Sequence, residues 1–170
     1  MTRLMCVFLL GLTLISPTDV MATQAGQIIV IVRHAEKMSD VKDPTLTEQG
    51  QQRAQHLAER LSHVVFTTAL TTQFKRTQAT LAPIINKQKL NHLITVAKSP
   101  LDDHIQAVAK LARQQSGNVI IAGHSNTVPL IVTALGGPTL PSLPETEFSK
   151  LYILSIAPNN EVSFIDAEYH

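Results

Sequence analysis

Residues 28–32 form an unbroken apolar run, IIVIV, in which every side chain is β-branched. β-branched residues favour strands, and a strand without polar alternation is typical of a parallel sheet covered on both faces. The run stops abruptly at Arg33 and His34, which are both polar. We therefore predict a buried strand that brings Arg33 and His34 to one edge of a sheet.

Strand and helix patterns alternate along the rest of the chain. Apolar side chains at helical spacing predict helices at residues 47–61, 76–85, 101–115 and 129–135. Further strands are predicted from residue 64, at residues 93–96 and 119–122, and as a closing hairpin of residues 151–156 and 162–165. This alternation predicts an α/β fold, a three-layer α/β/α sandwich with a mostly parallel central sheet.

Length and charge limit the classes of partner. The 170 residues fit one domain, and 44% hydrophobic content can fill its core. With 14 Lys and Arg against 13 Asp and Glu, the net charge is +1, which is too small for binding driven by counterion release. We therefore expect neither nucleic acid nor an anionic membrane as a partner.

The first residues have the pattern of a secretory signal peptide. Arg3 supplies a positive start, residues 4–15 are largely apolar, and Ala22 provides a small side chain before a cleavage position. The apolar run is shorter than the about 20 residues that cross a bilayer, although an uncleaved anchor is the alternative. We predict a signal peptide at residues 1–22, a mature domain at residues 23–170, and export to a bacterial periplasm or the medium.

The single cysteine also lies in this leader. Because Cys6 would be removed with it, the mature chain would have no thiol for a disulfide, a metal thiolate or a cysteine nucleophile. Cys6 precedes the end of the apolar run and is therefore interpreted as an apolar filler, not as a lipid-attachment site.

Two predicted strands end in a histidine. His34 follows the first strand and His124 follows the strand at residues 119–122, and ligands of open α/β sheets bind beyond the carboxyl ends of strands. Arg33 belongs to the same edge, and Arg76 opens the helix after the second strand. Two imidazoles and two guanidiniums in one cleft suit a phosphoryl group, whose negative charge spreads over three oxygens during transfer. The sequence predicts a phosphate-binding cleft that needs no metal.

The residues after His124 add further candidates. Amides at the start of a helix favour phosphates, and Ser125 is a candidate phosphate-binding residue there. A serine nucleophile in a strand-to-helix elbow would have glycine two positions later, but that position is Thr127. Ser125 is therefore interpreted as a ligand and not as a nucleophile.

Four short motifs occur in a characteristic order along the chain. They are RHAEK at residues 33–37, LTEQGQQRA at 46–54, FTT at 66–68 with KRTQAT at 75–80, and GHSNT at 123–127. Together they resemble the histidine phosphatase superfamily, most closely small members of its phosphoglycerate-mutase-like branch 1, with Ala35 in place of the commoner glycine. The resemblance extends over nearly the whole mature chain.

This resemblance implies a mechanism without metal or cofactor. His34 would attack phosphorus in line, Arg33, Arg76 and His124 would hold the transferring oxygens, and water would hydrolyse the phosphohistidine. Like charge from the arginines would favour the neutral imidazole, which alone has a lone pair for attack. We expect the other ring nitrogen of His34 to donate to a backbone carbonyl or a similar group.

The proton donor for the leaving group is less clearly indicated. The candidates are Glu36, Asp102 and Asp103, and the resemblance favours an acid in the segment before the second histidine. An exposed carboxylate at a helix start is also commonly a cap, and Asp102 is well placed to be one. The remaining histidines are assigned no function: His56, His63, His92, His104 and His170.

The preferred interpretation is an exported, metal-independent phosphomonoesterase that acts on a small phosphorylated molecule or an envelope phosphate. A non-catalytic phosphate- or phosphoprotein-binding module on the same fold is the main alternative. A metal hydrolase is a third hypothesis. It is disfavoured because the histidines are not accompanied by the carboxylate cluster that divalent cations prefer.

Overall fold

The computed structural model describes residues 26–39 and 41–170, so the predicted signal peptide at residues 1–22 lies outside the described residues. In chain order the elements are β1 (Gln27–Arg33), α1 (Glu48–Arg60), β2 (Phe66–Thr72), α2 (Lys75–Gln88), β3 (Asn91–Thr95), α3 (Leu101–Arg113), β4 (Asn118–Gly123), α4 (Thr127–Ala134), β5 (Lys150–Ile156) and β6 (Val162–Glu168). The predicted alternation is confirmed, although β2 begins later and α4 earlier than the apolar pattern indicated. Within this part of the chain, no helix has the length and apolar content needed to cross a membrane.

The six strands form one sheet in the order β3-β2-β4-β1-β5-β6. Strands β1 to β4 are parallel to one another, and β5 and β6 add an antiparallel hairpin, as predicted. In the pairing of β1 with β4, Arg33 lies opposite Gly123. Because His34 and His124 are the next residues of these two strands, the register places them side by side at the carboxyl edge.

Helices cover both faces of the sheet and produce the predicted three layers. Val30 and Val32 of β1 face α1 and α2, where they pack into a core with Leu57 and Leu81. The alternate residues Ile29 and Ile31 face α3 and α4 and pack with a second set that includes Val108 and Ile131. Since successive side chains of a strand point to opposite faces, a run that is apolar throughout supplies both cores.

Helix α1 begins in close contact with the loop that follows β1. Thr47 caps the helix, and its hydroxyl accepts a hydrogen bond from the backbone amide of Gly50 at 3.1 Å. The Thr47 amide donates to the Glu36 carbonyl at 2.9 Å. A Cβ atom at Gly50 would collide with that same carbonyl oxygen. Gly50 is therefore explained by a close backbone approach, which a side chain would prevent.

We expect Gly50→Ala to destabilise the protein by about 1–3 kcal/mol, because the loop that contains Glu36 must move to admit the methyl group. The measurement is the free energy of unfolding in denaturant. Gln51→Ala, at an exposed position of the same turn, is the matched control and should change stability by less than about 0.5 kcal/mol. Equal stability of the two variants would contradict the close approach.

Candidate active site

A cavity of about 440 Å³ opens at the carboxyl edge of the parallel strands, which is within the size range of small-molecule sites. His34, Arg76, His124 and Ser125 all contribute to its wall. The opposite wall comes from the segment between β3 and α3 and from the first turn of α3. The structure thus brings together four of the side chains that the sequence placed in one cleft.

His34 is almost fully buried directly after β1, at 3% exposure. Its backbone amide donates to the carbonyl of Gly123 at 2.9 Å, which ties it to the end of β4. Its ring nitrogen Nδ1 lies 2.8 Å from the carbonyl oxygen of Ala35. A carbonyl oxygen can only accept, so Nδ1 carries the proton and Nε2 holds the lone pair. This arrangement agrees with the expected backbone partner for His34.

The surroundings of His34 keep its ring neutral. Together they lower its pKa to about 4, with burial as the largest cause and the positive charges of Arg76 and Arg33 acting in the same direction. The hydrogen bond to Ala35 acts in the opposite direction. The sequence argument assigned the neutral form to like charge alone, whereas desolvation contributes more because the side chain is almost fully buried. At neutral pH the Nε2 lone pair is therefore available.

His124 and Arg76 lie beside His34. The two histidine rings are 5.5 Å apart between centroids and meet edge-on. Nη2 of Arg76 lies 3.3 Å from Nδ1 of His124, and because a guanidinium can only donate, Nδ1 is the acceptor. The other nitrogen, Nε2, then donates to the hydroxyl of Thr72 at 3.2 Å. Burial, followed by the charge of Arg76, lowers the pKa of His124 to about 3.

Thr72 was not identified from the sequence, although it determines the orientation of His124. Its hydroxyl lies 2.9 Å from the hydroxyl of Thr77, which in turn donates to the carbonyl of Phe74 at 2.9 Å. His124 thus donates to Thr72, and Thr72 donates to Thr77, so that each of these buried polar groups has a hydrogen-bond partner. The sequence alone does not distinguish the role of Thr72 from that of its neighbour Thr71. Their roles depend on which neighbouring strand each side chain meets.

We expect Thr72→Val to lower kcat/KM by about ten- to a hundredfold, because the N–H of His124 would be left buried without an acceptor, at a cost of about 1–3 kcal/mol. The measurement is steady-state kinetics with a chromogenic phosphomonoester. Thr72→Ser restores the hydroxyl and should recover most of the loss. Thr67→Val, at the exposed start of the same strand, is the control for general damage to β2. A Thr72→Val enzyme as active as Thr67→Val would show that the hydroxyl does not position the ring.

Arg33 does not line the cavity in this structure but holds the segment between α4 and β5. Its Nη1 donates to the carbonyls of Pro144 at 2.6 Å and Glu147 at 3.0 Å. Its Nη2 donates to the Glu145 carboxylate at 2.8 Å, and the guanidinium stacks on Phe148 at 4.3 Å from the ring centre. A direct contact between Arg33 and phosphate would therefore be made at Nη2, beside the carboxylate of Glu145.

Glu145 is a second functional candidate that sequence reasoning missed. Its side chain lines the cavity, and its carboxylate accepts a hydrogen bond from the hydroxyl of Ser125 at 2.7 Å. This hydrogen bond, followed by the charge of Arg33, lowers the pKa of Glu145, so the carboxylate is ionised at neutral pH. The sequence offered no signal, since the proline-rich stretch before Glu145 indicates only a loop.

The structure does not bring the candidate acids Glu36 and Asp102 to the cavity. The carboxylate of Glu36 is bound by Arg53, with nitrogen to oxygen distances of 2.8–3.0 Å, and does not contribute to the wall. Asp102 is exposed in the first turn of α3, where Pro100 and not Asp102 is the N-cap residue. His104 of the same turn lies in the wall instead, although the sequence gave no reason to select it.

Among residues 26–39 and 41–170, no group of three or more His, Cys, Asp or Glu side chains is arranged to hold a metal ion. The Lys, Arg, Asp and Glu side chains in the cavity wall are Lys37, Arg76, Lys98 and Glu145.

Comparisons with known proteins agree with the motifs. The model of the histidine phosphatase superfamily (branch 1) matches residues 29–98. No curated protein sequence matches the chain significantly. Among solved structures, the protein histidine phosphatase SixA complexed with tungstate is 19% identical with a TM-score of 0.66, over 83% of this chain and 96% of that chain.

Two further solved structures have the same fold. A phosphoserine phosphatase from Entamoeba histolytica, in complex with 3-phosphoglyceric acid, is 12% identical with a TM-score of 0.61, over 85% of this chain and 96% of that chain. A mycobacterial glucosyl-3-phosphoglycerate phosphatase is 14% identical with a TM-score of 0.62, over 85% and 98%. At these identities the similarity establishes the fold. The chain thus matches the histidine phosphatase superfamily, branch 1, in sequence over residues 29–98 and in fold over most of its length.

Proposed function

We propose that the protein is a phosphatase that hydrolyses a phosphomonoester through a phosphohistidine on His34. The observation that carries this proposal is the 2.8 Å contact between Nδ1 of His34 and the carbonyl of Ala35, which leaves the lone pair on Nε2. A buried imidazole with a pKa of about 4 is neutral at the pH of most compartments, so it can act as a nucleophile there.

Arg76, His124 and Ser125, which line the cavity, and Arg33, through its Nη2, are the groups proposed to bind the phosphoryl oxygens. Arg76 already donates to the ring of His124, and its buried Nε has no hydrogen-bond partner among the described residues. His124 can donate to a phosphoryl oxygen once Nδ1 takes up a proton, and an incoming anion favours that protonation. The amides at the start of α4, next to Ser125, can add donors.

The proposed cycle has two displacement steps at phosphorus. In the first, Nε2 of His34 forms a bond to phosphorus as the bond to the ester oxygen breaks, and the leaving oxygen takes a proton from water. In the second, water attacks phosphorus, the bond to nitrogen breaks and its electron pair returns to Nε2, and inorganic phosphate leaves. The proton lost by the attacking water neutralises the hydroxide left by the first step. Neither Glu36 nor Asp102 has a part in this cycle, because both lie outside the cavity wall.

The proposed substrate is a small phosphorylated molecule or an envelope phosphate, since a cavity of about 440 Å³ can enclose a small leaving group. No metal and no cofactor is part of the proposal. Export through the leader at residues 1–22 is proposed from the sequence pattern, and the action would then take place outside the cytoplasm.

The test is rapid-quench labelling with a radioactive phosphomonoester. We expect a phosphoenzyme that is labile in acid and stable in base, as a phosphohistidine is. Tight binding of phosphate without any label would instead favour the non-catalytic binding module. Loss of turnover on treatment with a chelator would favour the metal hydrolase.

A further inference from the structure

The carboxylate of Glu145 lies in the cavity between two groups that are proposed to bind phosphate. One of its oxygens is 2.8 Å from Nη2 of Arg33, and the other accepts the hydrogen bond of Ser125 at 2.7 Å. Each oxygen thus takes one donor, which is the arrangement that a phosphoryl oxyanion would adopt between the same donors. Glu145 occupies this position in the structure.

A ligand can reach Arg33 through one nitrogen, Nη2. Its Nη1 is already bonded to the carbonyls of Pro144 and Glu147. Its Nε has no partner among the described residues, but it is sealed from solvent. A phosphoryl oxygen can therefore reach this guanidinium at Nη2, where the carboxylate of Glu145 lies.

Arg33 and Glu145 differ greatly in exposure, and this difference permits the carboxylate to be exchanged for another anion. The side chain of Arg33 is 2% exposed, whereas that of Glu145 is 76% exposed. Water can solvate the carboxylate when it rotates outward, but Arg33 without an anion would be an uncompensated buried charge. Rotation is therefore favourable when another anion takes the place of the carboxylate.

We propose that Glu145 is an affinity-determining residue, whose carboxylate competes within the protein with the phosphoryl oxyanion for Arg33 and Ser125. The competition weakens the binding of inorganic phosphate and so eases release of the product. This inference rests on the proposed function, because it takes Arg33 and Ser125 as phosphate-binding groups. It explains how a buried arginine can be paired with a carboxylate and still be available to substrate.

The test is calorimetric titration of the purified protein with inorganic phosphate and with tungstate. In Glu145→Gln and Glu145→Ala we expect the dissociation constants of both oxyanions to fall by about five- to twentyfold, because the competing charge is gone. Glu59→Gln, an exposed position on α1, is the control for a change in net charge and should bind as the wild type does. Thermal unfolding verifies that each variant is folded, and Glu145→Gln retains the side-chain shape if the alanine variant does not fold.

The outcomes separate this inference from the proposed function. Unchanged or weaker oxyanion binding in both Glu145 variants would overturn the inference, even if the wild type forms a phosphoenzyme. Absence of oxyanion binding in all of the proteins, together with absence of a phosphoenzyme, would overturn the proposed function as well.

Discussion

Replacement of His34 by alanine is expected to abolish the phosphoenzyme and to lower kcat by about a thousandfold or more. Removal of a nucleophile eliminates the covalent route, and any remaining rate must come from groups that only bind the phosphoryl group. Arg76 and His124 contact each other and do not depend on the ring of His34, so tungstate binding should persist in the variant. The measurements are steady-state hydrolysis of p-nitrophenyl phosphate and rapid-quench labelling.

The control for His34→Ala is His63→Ala, which removes an exposed imidazole far from the cavity and should leave turnover unchanged. Labelled phosphoenzyme in His34→Ala at the level of the control would assign the nucleophile to another residue. Unchanged turnover of both variants would contradict a histidine nucleophile altogether.

Arg76→Ala is expected to lower kcat/KM by about a hundred- to a thousandfold. Its guanidinium is the cation in the cavity wall that contacts His124, and charge stabilisation at a transferring phosphoryl group typically contributes effects of this size. The side chain is oriented by the ring of Phe74, which lies 4.4 Å from the guanidinium carbon. The measurement is kcat/KM for a chromogenic phosphomonoester, with tungstate affinity as an independent readout.

Two further variants strengthen this test. Arg76→Lys keeps the positive charge but loses the planar pair of donors, so its activity should lie between those of the wild type and Arg76→Ala. Arg60→Ala removes an exposed arginine at the end of α1 and should have little effect. A loss of less than about twofold in Arg76→Ala would show that this residue does not hold the phosphoryl group.

The placement of His34, His124 and Arg76 at one edge of the sheet could be predicted, because it follows from short-range sequence patterns and one topological rule. The apolar runs before His34 and His124 indicate buried parallel strands, and parallel strands deliver their last residues to the same edge. The pairing of Arg33 with Gly123 confirms this prediction. Arg76 could be predicted for the same reason, since the helix that follows β2 must begin at that edge.

The partners of these residues could not be predicted, because they come from parts of the chain that are distant in sequence. Arg33 was assigned to the phosphate, but Pro144, Glu145 and Glu147, which lie more than a hundred positions later, accept hydrogen bonds from its guanidinium. Glu145 and Thr72 gave no local signal, and their roles depend on where a loop and a strand end meet His124 and Ser125. A loop rich in proline has no periodicity from which its path could be inferred.

The positions of the candidate acids could not be predicted from the sequence either. Glu36 is only two residues from His34, yet its carboxylate turns away from the cavity to Arg53 on α1. Asp102 lies in the first turn of α3 and is exposed, whereas His104 from that turn reaches the wall. A difference of two positions on a helix is about 200° of rotation, so the side chain that faces the cavity is decided by how the helix packs.

The amino-acid sequence by itself determined the layered α/β fold and brought His34, Arg76 and His124 to one edge of its sheet. These follow from hydrophobic periodicity and strand order, which are encoded within short segments. The tertiary structure alone decided which nitrogen of His34 is free, which hydroxyl orients His124 and which carboxylate lies on Arg33. Hydrogen bonds and ion pairs depend on distances of a few tenths of an ångström, and only the packed chain specifies such distances.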